Sequence, residues 1–373
     1  MSLSLFIAGD VVPKDVQEET FRSNKERIFG AIKPWISKAD FSIVNLEAPA
    51  LSGPPVPIKK DGPGLHTSPT SIEVLKDVGF DVISLANNHF FDQGQKGVEC
   101  TISACLENKI RFVGAGKNFE EARSILYINS NDKTVAIINA CEHEFSIANS
   151  EHGGSNPIDL VNMQEDISSA RRKADYVIVI LHGGIEHYHY PTPRMKRWYR
   201  HFVDLGADAV VNHHQHCING YEVYKGKPIF YGLGNFYFPW SVQSKLESWK
   251  FGYAVLLSMD KMIGFELIPY EQTEKSISLR KMDEFEKEIE QYNIPITNDV
   301  ILQQLFDEYI IGIERSLEAD LLPSFLRQRY MLALIKRGFF GKLYYGKAAL
   351  KVKNKLTCES HYELLQRLSE LLI

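Results

Sequence analysis

A chain of 373 residues with 44% hydrophobic and 24% charged residues can bury one large α/β core or two smaller ones. Its net charge of -5 excludes a globally basic binder of nucleic acid or anionic lipid, so any such contact needs a local basic patch. Five cysteines without CxxC spacing exclude a disulfide framework and a cysteine zinc knot. No basic leader precedes the first apolar run, 3–8, and that run is too short for a secretory core or a bilayer span. The expectation is a chain without a signal peptide or transmembrane segment, located in the cytoplasm.

In chain order, strands are predicted at 3–8, 41–45, 80–85, 110–113, 134–139, 176–181 and 209–212, with helices at 71–78, 93–107, 163–173 and 193–205. Such alternation predicts an α/β fold with crossover connections and a helix-covered sheet. The Pro- and Gly-rich segment 52–69 can continue neither helix nor central strand and is expected as a long surface loop. Four strand signals then follow without a helix between them, at 220–224, 228–231, 253–258 and 264–269, and are expected to form the antiparallel part of the fold. After residue 272 the pattern becomes charged and Leu-rich with helical spacing, at 284–291, 299–314, 324–336 and 361–372. The domains expected are therefore 1–271 and an all-helical extension, 272–373.

The unusual residues sit where strands end, which in α/β sheets is where loops converge on one crevice. Those ends read Gly9-Asp10, Asn45-Leu46-Glu47, Asn87-Asn88-His89 with Asp92, His182-Gly183-Gly184 with Glu186 and His187, and Asn212-His213-His214-Gln215-His216. Each piece alone has a plain reading as a turn, and Asp92 could equally cap the helix that follows it. Together they predict a divalent-cation site with one or two ions. A carboxylate can bridge two cations, neutral imidazoles suit zinc, iron or manganese, and an Asn carbonyl adds a ligand without adding charge. Two ions about 3.5–4 Å apart clamp a phosphoryl group and activate water.

The same residues, with Gly79-Phe80-Asp81 leading into Val82-Ile83-Ser84-Leu85-Ala86, Gly114-Ala115-Gly116, and Gly232-Leu233-Gly234-Asn235-Phe236, stand in an order that resembles the CapA-type capsule and poly-γ-glutamate synthesis family. That family resembles the calcineurin-like metallophosphatases. The resemblance covers about residues 3–240. It implies a four-layer αββα metallophosphatase-like sandwich with the helical extension behind it. It also implies that Asp10 and His216 hold one ion, Asn88, His182 and His214 the other, and that Glu47 bridges them. His89 would then face the substrate as the catalytic residue, with Asp92 behind it. Metallophosphatases commonly carry a His two residues after the first Asp, where this chain has Val12. The first subsite is thus one ligand short.

Asn45, Lys60, Glu186 and His187 are expected to line the pocket, Lys60 meeting an anionic group from the proline-rich loop beside Lys59. Cys217 reads as a small buried residue. The expected function is a metal-dependent hydrolase of a phosphorylated or acylated polymer or precursor. The alternative is a non-catalytic accessory protein that binds an anionic polymer or a synthase through a partly degenerate site. A nucleic-acid phosphodiesterase is disfavoured because no basic and aromatic groove is present. The tail, rich in basic residues and carrying Phe339, Phe340, Tyr344 and Tyr345, could dock a capsule-assembly partner or pack as amphipathic helices.

Overall fold

The computed structural model describes residues 3–13, 16–60, 62–130, 132–239 and 246–320. Two compact units divide the chain, residues 1–303 and 304–373.

The first unit begins with β1 (Leu3–Val11), the short helices α1 (Val16–Ser23), α2 (Lys25–Phe29) and α3 (Lys33–Lys38), then β2 (Phe41–Leu46), α4 (Pro69–Val78), β3 (Val82–Ser84), α5 (Gly94–Glu107) and β4 (Arg111–Val113). The middle holds β5 (Ala115–Gly116), α6 (Phe119–Ala122), β6 (Leu126–Ser130), β7 (Lys133–Cys141), β8 (Gly154–Ser155), α7 (Leu160–Arg171), β9 (Tyr176–His182), α8 (Pro193–Leu205) and β10 (Ala209–His213). It closes with β11 (Tyr221–Tyr224), β12 (Lys227–Phe230), β13 (Asn235–Tyr237), β14 (Phe251–Met259), β15 (Ile263–Gln272), β16 (Ile277–Leu279) and α9 (Met282–Ile296), and α10 (Asp299–Asp320) starts before Gln303.

The first sheet runs β16-β15-β14-β1-β2-β3-β4, with β13 joining β1 beyond its main pairing; the second runs β11-β12-β10-β9-β7-β6. Period-two alternation sorts the side chains into layers. In β1, Phe6 and Ala8 face a core shared with α1 to α5, while Leu3, Leu5 and Ile7 face Ile137, Ile178, Ile180 and Val211 of the second sheet. On the far side of that sheet, Ile138, Val179 and Val210 pack against Met163 and Ile167 of α7 and Tyr199 and Phe202 of α8. Helices, sheet, sheet, helices is the four-layer αββα order. Each fully buried Leu, Ile or Val in the shared middle contributes about 1.5–3 kcal/mol.

Two expectations need correction. The strand run 220–269 is not one antiparallel block: β11 and β12 form a hairpin at the edge of the second sheet, with β12 parallel to β10, whereas β14 and β15 extend the first sheet antiparallel to β1. Alternation alone does not say which sheet receives a strand. The helices α1 to α3 were not foreseen, because they are short and highly charged and bury only a few residues each, such as Phe21, Ile28, Phe29 and Ile36. Beyond residue 272 the chain first adds β16, and Phe285 and Ile289 of α9 enter the core between the sheets. Within the second unit, the described residues belong to α10. The predicted tail helices at 324–336 and 361–372, with the aromatic and basic residues between them, lie outside the described residues. No helix among the described residues is long and apolar enough to cross a membrane.

Candidate metal centre

The parallel strands β1, β2, β9 and β10 end together, and their registers bring the functional residues into one place: Asp10 lies beside Asn45 and also beside Asn235 of β13, and His182 lies beside His213. The approach of β13 depends on Gly9, since a Cβ there would sit 2.0 Å from the Gly234 carbonyl oxygen. Two side chains tie the sheets at this end. His213 puts Nε2 3.0 Å from the Ala8 carbonyl oxygen. The Asn139 carbonyl oxygen accepts from the Leu85 and Ala86 amides while its NH2 donates to Ile180. His213 is therefore a structural tie, and the imidazoles that could ligate an ion are those of its neighbours His214 and His216.

One subsite gathers around His182 Nε2. His182 Nε2 lies 3.1 Å from Asn88 Oδ1, 3.1 Å from His214 Nδ1 and 3.3 Å from Glu47 Oε1. Donors bound to one ion at about 2.0–2.2 Å stand about 3.0–3.5 Å from each other in tetrahedral or octahedral geometry. The second group is Asp10, Glu47 and His216, whose ligating atoms fall within 4.8 Å of one another. His216 sets Nδ1 2.9 Å from Asn235 Oδ1, which leaves Nε2 facing Glu47 Oε1 at 3.7 Å. Asp10 is held by Asn45 Nδ2 at 2.7 Å and by the His214 amide at 3.3 Å. Glu47 belongs to both groups.

The electrostatics fit cations. Both carboxylate oxygens of Glu47 are buried without a hydrogen-bond partner. Burial, and then the Asp10, Glu186 and Glu144 carboxylates, push its pKa far above the ordinary value. Burial, and then the neighbouring imidazoles, hold His182 well below the usual imidazole range; His216 falls to about 3, again through burial first, against the opposing pull of Glu186. Buried imidazoles that resist protonation, beside a carboxylate without a hydrogen-bond partner, form a donor set suited to divalent cations. Asp10, Glu47, Asn88, His182, His214 and His216 would hold them.

His89 is buried near these residues, with Nδ1 2.6 Å from Asp92 Oδ2. Asp92 also accepts from the Leu65 amide at 2.7 Å and from Lys60 Nζ at 2.5 Å. The cap position of α5 is Gln93, without a side-chain cap bond, so Asp92 is the partner of His89 and not a cap. Lys60 is only 4% exposed in its side chain and lies 3.5 Å from the Asn88 carbonyl oxygen and 3.2 Å from His89 Nδ1. Its ammonium is thus engaged in holding the proline-rich loop over His89. Glu186 is half exposed; burial would raise its pKa, but His216, His214 and His187 together lower it. Cys217 is fully buried.

Sequence reasoning missed three supports of the site. Asn235, named in the sequence only within the run 232–236 that carries the family resemblance, orients His216. Glu144, in an irregular loop that carries no sequence signal, accepts from Asn88 Nδ2 at 3.4 Å and so turns the amide oxygen toward His182. Trp249, 4.6 Å from the His216 ring, joins Val12, Ala48, Leu65 and Phe238 in a small apolar cluster. Val12 thus packs as a core residue where an imidazole was expected.

Four layers with a cluster of carboxylates and imidazoles at the strand ends define a metallophosphatase-like fold. The model of the family described as "Bacterial capsule synthesis protein PGA_cap" matches residues 4–239, and the chain belongs to this family. Two curated relatives are "Capsule biosynthesis protein CapA" of Bacillus anthracis, 34% identical over 63% of this chain and 60% of its own length, and "PGA biosynthesis protein CapA" of Bacillus subtilis, 32% identical over 63% of each chain. The chain therefore matches about three-fifths of the length of these relatives. A solved structure of a novel phosphatase from Mycoplasma pneumoniae is similar with 18% identity and a TM-score of 0.47, covering 72% of this chain and 93% of that one.

Proposed function

We propose that this protein is a metal-dependent hydrolase of bacterial surface-polymer biosynthesis, acting on a phosphorylated or acylated form of an anionic polymer of the poly-γ-glutamate kind or of its precursor. The observation that carries the reading is Glu47: a carboxylate with both oxygens buried and without a hydrogen-bond partner, shared between a group with His182 and His214 and a group with Asp10 and His216, is suited to bridging two cations. When bound, such ions supply Lewis-acid polarisation of the scissile group and activation of water. The chain's own residues do the rest. Asn45 and Asn235 hold Asp10 and His216, Glu144 aims Asn88, and Asp92 fixes the His89 tautomer so that Nε2 faces the reacting group. As an imidazolium, with Asp92 balancing the charge at Nδ1, His89 then gives its Nε2 proton to the leaving group or stabilises the charge that develops on it.

A binding role without turnover is the second reading, favoured by the buried Val12 where an imidazole ligand was expected. Metal analysis of the purified chain, followed by a panel of phosphomonoesters, phosphodiesters and γ-glutamyl amides with added manganese, iron or zinc, separates the two. Turnover that disappears with chelator supports the hydrolase. A metal-loaded chain inert across the whole panel overturns it in favour of polymer binding.

A further inference from the structure

Three of the six non-glycine residues with positive φ among the described residues are histidines at this site: His187 at +62°, His214 at +97° and His216 at +56°. Non-glycine residues adopt this conformation rarely, and strain of this kind clusters where a side chain must be aimed. Two of the three are ligand candidates already. The third, His187, is presented by the loop after β9, where its amide donates to the Gln215 carbonyl at 2.8 Å and fixes the turn beside the His214–His216 segment.

Its ring lies 6.3 Å from that of His216 and 5.7 Å from Trp249, which also packs on His216. His187 Nδ1 is buried and has no hydrogen-bond partner. The first subsite lacks the imidazole whose position Val12 occupies, and Val12 is sealed in the apolar cluster around Trp249. With metal–nitrogen bonds of about 2.0–2.1 Å, imidazole centroids on one ion stand about 6.4 Å apart when the two nitrogens are trans and about 5.2 Å apart in a tetrahedral site, so the observed 6.3 Å suits a near-trans pair, and a tetrahedral ion requires the His187 ring to move about 1 Å closer. Glu186, the neighbouring donor, keeps its side chain half exposed and its oxygens are not orphaned in this way.

We infer that His187 is a ligand of the first subsite, completing Asp10, Glu47 and His216 in place of the histidine that Val12 replaces, for a divalent first-row cation such as Mn2+ or Zn2+. The inference rests on the metal-centre reading above. It makes the site dinuclear through a ligand contributed by a different loop, with the apolar wall of Trp249 and Phe238 taking the space left by the usual one.

The test is Mn2+ titration calorimetry and metal stoichiometry on the full chain, stripped with chelator and reloaded. His187→Asn is the informative variant, because Asn tolerates the left-handed backbone and preserves the loop. The wild type is expected to bind two ions, and His187→Asn to keep one at unchanged affinity while the other weakens at least tenfold. Adding Val12→His to His187→Asn should restore the second ion. A wild type that binds two ions and a His187→Asn variant that binds both equally well overturn this assignment alone, as does a wild type that binds only one. A wild type that binds none overturns the metal-centre reading itself.

Discussion

The two halves of the metal centre are built differently. The ring of Asn88, His182, His214 and Glu47 is polar on all sides, and its acceptors stand 3.1–3.3 Å apart around His182 Nε2. The group of Asp10, Glu47 and His216 is looser, with His216 Nε2 3.7 Å from Glu47 Oε1, and backs onto an apolar wall of Val12, Phe238 and Trp249. Mutual repulsion among four close acceptors is sustained only by the surrounding hydrogen bonds, so the tighter ring is the more preorganised for a cation and should bind first. The looser group depends on its supports, Asn45, Asn235 and the His187 loop, and should be the exchangeable one.

The sharpest way to break this contrast is the shared carboxylate. Glu47→Ala should abolish binding at both subsites and eliminate turnover, whereas His214→Ala should empty the tight ring and Asp10→Ala the loose group, read as metal stoichiometry per chain. Full retention of both ions by Glu47→Ala removes the bridge. His89→Ala should keep both ions and lose about 10²–10⁴ in turnover, because general acid help is withdrawn while the donors stay in place; unchanged rates would remove His89 from the reaction. Asn235→Ala leaves every direct donor in place, and should weaken the loose-group ion about 10–100-fold while sparing the other, which calorimetry resolves. Equal losses at both subsites would show that the two are not separable.

The smallest effect concerns pH. In the metal-free chain His182 and His216 have folded-state pKa values below the unfolded value of about 6.5, so the unfolded state takes up protons that the folded state refuses. Their contribution is present above that value and is lost as pH falls from about 6.5 toward the His216 value of about 3. Glu47 acts in the opposite sense: its folded pKa is raised, so its contribution declines as pH rises above its ordinary range of about 4.3, and a bound cation removes that loss. A melting series should show metal-free protein softening on acidification below about 6.5. At neutral pH, each ion should add about 2.7 kcal/mol at a free concentration a hundred times its Kd. A melting temperature indifferent to chelator at pH 7 would contradict the donor-set argument.

What the sequence disclosed follows from where each signal is encoded. Strand and helix periods are local, so the strands carrying Asp10, Glu47, His182 and His214 could be placed from pattern alone. Ligand chemistry is also local to each strand end, which made the donor types legible. Asp92 shows the limit, because cap and His89 partner read alike until the loop bearing Lys60 and Leu65 folds over it. Lys60 was read as a free cation for substrate and is instead buried against Asp92, a contact between residues separated by 32 positions.

By itself the sequence determined the alternation of strands and helices, the family motifs and the kinds of donor at the strand ends, since these depend on residue type and near-neighbour spacing; the four-layer order was implied only by the family resemblance. Only the tertiary structure decided which donors meet. The division of the strands between two sheets, the role of His213 as a tie to Ala8, the support of His216 by Asn235 and the apolar seal around Val12 all depend on contacts across more than one element. Such contacts are set by the packing of two sheets against each other, and no local period in the chain records them.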